Sequence, residues 1–92
     1  MEKSYLTKCD SNCDFIKNST IEVTTITLDD GVVEFECSSL GKLDFAVDDI
    51  VYLNAGEIEA KYKYYKITYV SYRKPKKDYL YTLSANKHEC KK

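Results

Sequence analysis

Four cysteines and a single histidine are the residues of this 92-residue chain with the strongest claim to chemistry. Cys9-x-x-x-Cys13 lies near the start and His88-x-Cys90 near the end. The ends of a small domain are often close in space, so the two pairs could supply the four ligands of a tetrahedral zinc site. Such an ion would staple a small core. The spacing differs from the strongest zinc signatures, which place two residues between paired cysteines. Three states therefore stay open: a structural zinc on Cys9, Cys13, His88 and Cys90, a disulfide, or thiols. Thiols are the default, and with them no cofactor is expected. Cys37 shares its alternation with Val33 and Phe35 and is expected inside as a small hydrophobe.

The chain carries no glycine-rich phosphate loop, no Gly-x-Ser-x-Gly elbow and no His-Glu-x-x-His helix motif. Its carboxylate pairs, Asp29 with Asp30 and Asp48 with Asp49, sit beside expected turns and read as turn residues before they read as acid and base. A non-catalytic protein is the expectation.

A second chemistry lies in the basic and aromatic residues of the later part. Lys61, Lys63, Lys66, Arg73, Lys74, Lys76 and Lys77 interleave with tyrosines that include Tyr72 and Tyr79. Lysine neutralises phosphates and exposed tyrosine rings stack on bases, as single-strand binders require. Against that use stand a slightly acidic chain, with pI near 5.8, and a single Arg. Nine tyrosines and no tryptophan must also build much of the core. Tyrosine serves protein recognition equally well, giving a rigid contact area with a polar tip.

Charge is distributed unevenly. Residues 1 to 60 hold four Lys against thirteen Asp or Glu, a balance of −9; residues 61 to 92 hold ten basic against two acidic residues, a balance of +8. Either the molecule has a dipolar surface, or the two parts are neighbouring strands whose charges pair across the sheet. The acidic part could mimic nucleic-acid phosphates, or simply keep a small protein soluble. Thirteen of the fourteen basic residues are Lys, a bias that accompanies AT-rich coding and suggests a low-GC bacterium or one of its phages.

The elements that must position these residues are strands. Thr20 to Leu28 is rich in β-branched residues, with Ile21 and Val23 in one alternation and Ile26 and Leu28 in the other, so a bulge is expected near Thr24 and Thr25. Asp29, Asp30 and Gly31 form a tight turn, and Val33, Phe35 and Cys37 resume with period two, which predicts a hairpin. Leu43, Phe45 and Val47 alternate with polar residues, and Ile50 to Leu53 is a short apolar run. Tyr62 to Tyr72 is a long strand with Tyr65, Ile67 and Tyr69 on one face. A turn around Pro75 leads to Tyr79, Tyr81 and Leu83 as the last strand. The pattern predicts one mostly β domain over 1–92, a small barrel or curled antiparallel sheet of five to six strands. Residues 1–19 form an arm or short helix in this reading, with Phe15 and Ile16 fitting a helical turn or a short strand equally, 20–84 the barrel and 85–92 a tail.

Phe45-Ala46-Val47-Asp48-Asp49-Ile50-Val51-Tyr52-Leu53, followed by Tyr65-Lys66-Ile67-Thr68-Tyr69-Val70, resembles the F-x-x-G-D-x-V strand and following strand of SH3-like barrels, including the KOW and Tudor kinds. The likeness covers about a third of the chain. In those families a glycine allows the tight turn into the strand, and Asp48 stands in its place here. The resemblance implies a fold whose members bind peptides, nucleic acids or other proteins.

No apolar run approaches the roughly 18 residues of a membrane span, and Met1 to Thr7 lacks the apolar core of a secretory signal. A cytoplasmic address with no membrane contact is expected, as a monomer or homodimer. The expected function is recognition of a protein partner, as a phage or prophage accessory or inhibitor protein. The alternatives are single-stranded nucleic-acid binding through the Lys/Tyr face, and a metal-stapled assembly protein.

Overall fold

A computed structural model describes residues 3–29, 31–39, 44–56 and 62–90. Six strands account for most of them: β1 (Ser4–Cys9), β2 (Phe15–Asp29), β3 (Val32–Ser39), β4 (Ile50–Asn54), β5 (Tyr64–Arg73) and β6 (Tyr79–Lys87). All pair antiparallel and close into one barrel in the order β1-β2-β3-β6-β5-β4. Among the described residues no helix is long and apolar enough to cross a membrane.

Period two fills the barrel. Val33, Phe35 and Cys37 of β3 face Ala85, Leu83 and Tyr81 of β6 in register, and all six are buried. Leu6, Val51, Leu53, Tyr65 and Ile67 complete the interior from the other strands. Phe35 and Tyr65 meet edge to face with ring centroids 6.0 Å apart, a favoured aromatic geometry. The Tyr65 hydroxyl stays satisfied by donating to the Tyr62 carbonyl at 3.0 Å. Its pKa is pushed up first by burial and then by Tyr62.

The β2–β3 hairpin forms as expected, with Asp29 opposite Val32 and Gly31 at φ +83°, a left-handed conformation that glycine adopts without steric cost. The bulge also falls where the alternation slips, between Val23 and Thr25. There the Thr24 hydroxyl donates to the Glu36 carbonyl at 2.9 Å.

Three expectations are corrected. Among the described residues of 1–19, the expected arm or helix is replaced by strands: Ser4–Cys9 is β1, paired with both β2 and β4, β2 begins at Phe15, and without β1 the barrel would not close. The tail is shorter than expected, because β6 runs on to Lys87, held opposite Tyr65. The alternation from Leu43 to Val47 does not make a strand; Leu43 lies outside the described residues and 44–47 is irregular, with Phe45 in the core and Val47 exposed. The backbone there is engaged otherwise. Asp49 N–H donates to the Ala46 carbonyl at 3.1 Å, and the Asp49 carboxylate accepts from Ala46 N–H at 2.9 Å. Asp48 N–H donates to the Ile67 carbonyl at 2.8 Å, and Ile67 N–H to the Asp49 carbonyl at 2.9 Å. Asp48 itself has φ +78°, the conformation glycine supplies at such turns.

Strand β5 departs from strict alternation too. A register shift between Ile67 and Tyr69 turns Tyr69 outward, 54% exposed, and brings Val70 inward opposite Leu83. Beyond Val70 the strand reaches one rim of the barrel, where Tyr72 lies opposite the buried Tyr81 and is itself exposed.

Candidate functional site

The β5–β6 hairpin gathers most of the residues that the sequence marked for binding. Tyr72 and Tyr79 pack with Tyr81 at centroid separations of 5.6 and 6.3 Å, and with each other at 5.9 Å. Tyr81 is buried and anchors the trio, whereas Tyr72 is 50% exposed and Tyr79 half-buried. The Lys74 ammonium stands over the Tyr79 ring, 5.0 Å from its centroid, within cation–π range. Arg73, Lys76 and Lys77 are exposed beside it. Among the described residues, ion pairs join Lys3 to Glu22 at 3.5 Å and Lys8 to Asp49 at 3.4 Å, both within the acidic part of the chain. Among the described residues, none joins Arg73, Lys74, Lys76 or Lys77 to a carboxylate. A cleft of about 260 Å³, lined in part by Glu36, Tyr72, Arg73 and Tyr81, adjoins the trio.

The remaining candidates lie apart. Lys63 precedes β5 and Lys66 lies on its first turnover of exposed positions, opposite Ile50 and Asn86. At roughly 3.3 Å per residue, Lys66 stands about 20 Å along the strand from Arg73. Lys61 lies outside the described residues. The sequence therefore suggested one continuous face where the structure separates two regions. Tyr81 belongs to the interleaved tyrosines of that stretch, and its spacing of two from Tyr79 was the available sign that both share a face.

A second site sits where the β1–β2 connection meets the chain's end. Cys13 and Cys90 form a disulfide spanning 77 residues of sequence, with a Cα–Cα distance of 6.0 Å. This replaces the expected thiol state at these two positions. Cys9 and Cys37 remain buried thiols. One ligand atom each from Cys13, His88 and Cys90 lies within 4.8 Å of the others. Cys9 is not in that group, which corrects the expected four-ligand set. It ends β1, opposite Phe15 and Ile50, and its thiol is directed toward the Thr7 carbonyl at 3.8 Å. Cys13 lies beyond the turn, so the three intervening residues carry the two sulfurs to different surroundings.

Asp10 organises that turn. Its carboxylate accepts from Asn12 N–H at 2.8 Å and Asp14 N–H at 3.1 Å, while its backbone bonds Asp14 and Cys13. Cys13 consequently holds φ +65°. On the facing segment, His88 N–H donates to the Tyr64 carbonyl at 2.9 Å, tying the residues after β6 to β5. Cys37, by contrast, is enclosed in the core, and its pKa is pushed up to about 12, first by burial and then by Glu36. It has the character of a packing residue rather than a nucleophile.

Fold and sites together define a small closed antiparallel β-barrel with an aromatic, basic hairpin at one rim and a Cys/His cluster joining the β1–β2 turn to the segment after β6. No protein-family model, curated protein or solved structure matches the chain.

Proposed function

We propose that this chain is a non-catalytic binding module that recognises a protein partner through the β5–β6 hairpin. The observation that carries the reading is the tyrosine trio capped by Lys74: two accessible rings, Tyr72 and Tyr79, are held on paired strands by a buried third, Tyr81. Anchors of this kind lose little side-chain freedom on binding, which is why tyrosine and arginine dominate interface energetics. Arg73, Lys74, Lys76 and Lys77 select a partner with an acidic contact surface. The SH3-like resemblance belongs to the same reading, supported by the glycine-like φ of Asp48. So does the setting of a phage or prophage accessory or inhibitor protein, which rests on the lysine bias alone. The chain works without a cofactor in this role, as a monomer or homodimer.

A second reading, single-stranded nucleic-acid binding by the same hairpin, is favoured by the stacking of Lys74 on Tyr79 beside three further cations. The two separate in a pull-down of the tagged chain from lysate, with and without nuclease, repeated with Tyr72→Ala and with Arg73→Glu/Lys74→Glu. One stoichiometric protein that survives nuclease and is lost with both variants is the expected result. Recovery of nucleic acid alone, with an affinity that falls steeply as salt rises, would replace the first reading by the second. A partner retained by both variants would remove the hairpin from the interface.

The cytoplasmic address also belongs here, and it bears on the cysteines. Disulfides persist in oxidising compartments, whereas a cytosolic thiol pool keeps such pairs reduced.

A further inference from the structure

We infer that Cys13, His88 and Cys90 form a redox-gated zinc site: the disulfide closes it, and the dithiol form binds one metal ion in place of the cross-link. The inference is independent of the hairpin reading. Its basis is convergence, since the residues come from opposite ends of the chain, 75 to 77 positions apart, yet their ligand atoms lie within 4.8 Å of one another. A disulfide alone needs the two sulfurs and nothing more. The imidazole is the extra feature, carried on a segment that the backbone bond from His88 N–H to the Tyr64 carbonyl ties to β5.

The support on both sides is built before any ion arrives. The Asp10 carboxylate and backbone fix the turn that carries Cys13, and β6 with its link to Tyr64 fixes the segment that carries His88 and Cys90. In a tetrahedral zinc site two sulfurs stand about 3.7 Å apart, each bonded at about 2.3 Å to the metal. Two thiolates on backbones 6.0 Å apart at Cα can take up that separation by side-chain rotation. Thiolate and imidazole suit zinc and cobalt(II), and hard oxygen-seeking cations poorly. The cluster opens on a recess lined by Ser11, Asn12, Asp14 and Glu89. Three protein ligands with the fourth position left to solvent make an exchangeable site rather than a closed structural one.

The redox step balances with a dithiol reductant as co-reactant. Its two thiols give up two electrons and two protons, its own disulfide forms, and the Cys13–Cys90 bond becomes two thiols. Zinc then displaces the two thiol protons to solvent, and neutral His88 binds through one ring nitrogen. Because the ion joins the same two points as the disulfide, it restores the same cross-link.

The test uses the full chain, reduced with a phosphine and transferred without oxygen, beside the oxidised chain. Cobalt(II) is titrated and read by its tetrahedral visible bands and its sulfur-to-metal charge-transfer band; zinc is then used to displace it. One cobalt per reduced chain and none per oxidised chain is expected. His88→Ala should weaken binding on the order of 100-fold, one ligand's share of a typical site, and Cys13→Ser/Cys90→Ser should abolish it while Cys9 and Cys37 remain. Zinc at 100 times its dissociation constant should shift the unfolding equilibrium of the reduced chain about 100-fold toward the folded form, and leave the oxidised chain unmoved. Oxidised His88→Ala, which keeps its disulfide, should unfold at the wild-type midpoint, showing that the variant folds. Equal binding by both redox forms, no thiolate band, or unchanged affinity in His88→Ala would overturn the inference.

Discussion

Replacing Cys13 and Cys90 together by serine removes a cross-link that closes nearly the whole chain. For 77 residues between the sulfurs, the chain-entropy relation gives a loss of about 15 cal/mol/K from the unfolded ensemble, or about 4.5 kcal/mol at 25 °C. A 92-residue domain typically has a total stability of about 5 to 14 kcal/mol, so the bond is a large share of the whole. With an unfolding entropy of about 0.19 kcal/mol/K for a chain of this length, the midpoint should fall by about 20 °C. Urea unfolding of the oxidised wild type and the double serine variant, followed by far-ultraviolet circular dichroism, measures the difference. The slope against urea should also rise in the variant, because its unfolded chain exposes more surface. A loss below about 1 kcal/mol with an unchanged slope would mean that the bond does not constrain the unfolded chain.

Three further outcomes follow from single residues. Asp48→Gly should stabilise the barrel by about 0.5 to 1 kcal/mol in urea unfolding, because Asp48 sits at φ +78°, where a β-carbon is unfavourable and glycine is not. Phe35→Ala should cost about 3 to 5 kcal/mol by the same assay, since Phe35 is fully buried against Tyr65 and the barrel cannot collapse around the void. The Cys37 thiol, pushed up to about 12 from 9.0, stays protonated in the folded state while the unfolded thiol ionises. Its contribution is therefore fully present below pH 9.0 and is lost between 9.0 and about 12, at about 1.4 kcal/mol per pH unit. Comparing wild type with Cys37→Ala from pH 9 to 10.5 isolates that slope, and iodoacetamide at pH 8 should leave Cys37 unlabelled in the native protein.

Much of the architecture was legible because period two is local. Val33, Phe35 and Cys37 alternate in sequence and point inward in the barrel, and Gly31 announces its turn by being the residue that tolerates positive φ. Phe45 and Val47 were misleading for a physical reason: alternation records burial, and Phe45 is buried from an irregular segment whose hydrogen bonds are taken by Asp49 and Ile67. Tyr69 misled through a single-residue shift in β5, which reverses every face after it. The first strand gave little sign because its pattern, with Ser4, Leu6 and Cys9 inward, breaks where the register shifts between Thr7 and Cys9.

The binding hairpin was visible as composition, in the interleaving of cations and tyrosines, but its extent was not. Only the pairing of β5 with β6 decides that Tyr72 meets Tyr81, and only the length of β5 separates Lys66 from Arg73. By itself the sequence determined the strands with regular alternation, the turns that require glycine or aspartate, and the residue types available for binding, because each depends on neighbours along the chain. Tertiary structure decided which strand closes the barrel, which cysteine meets Cys90 and where His88 stands beside them. Those are distances between residues remote in sequence, and they are set by the registers of six strands acting together.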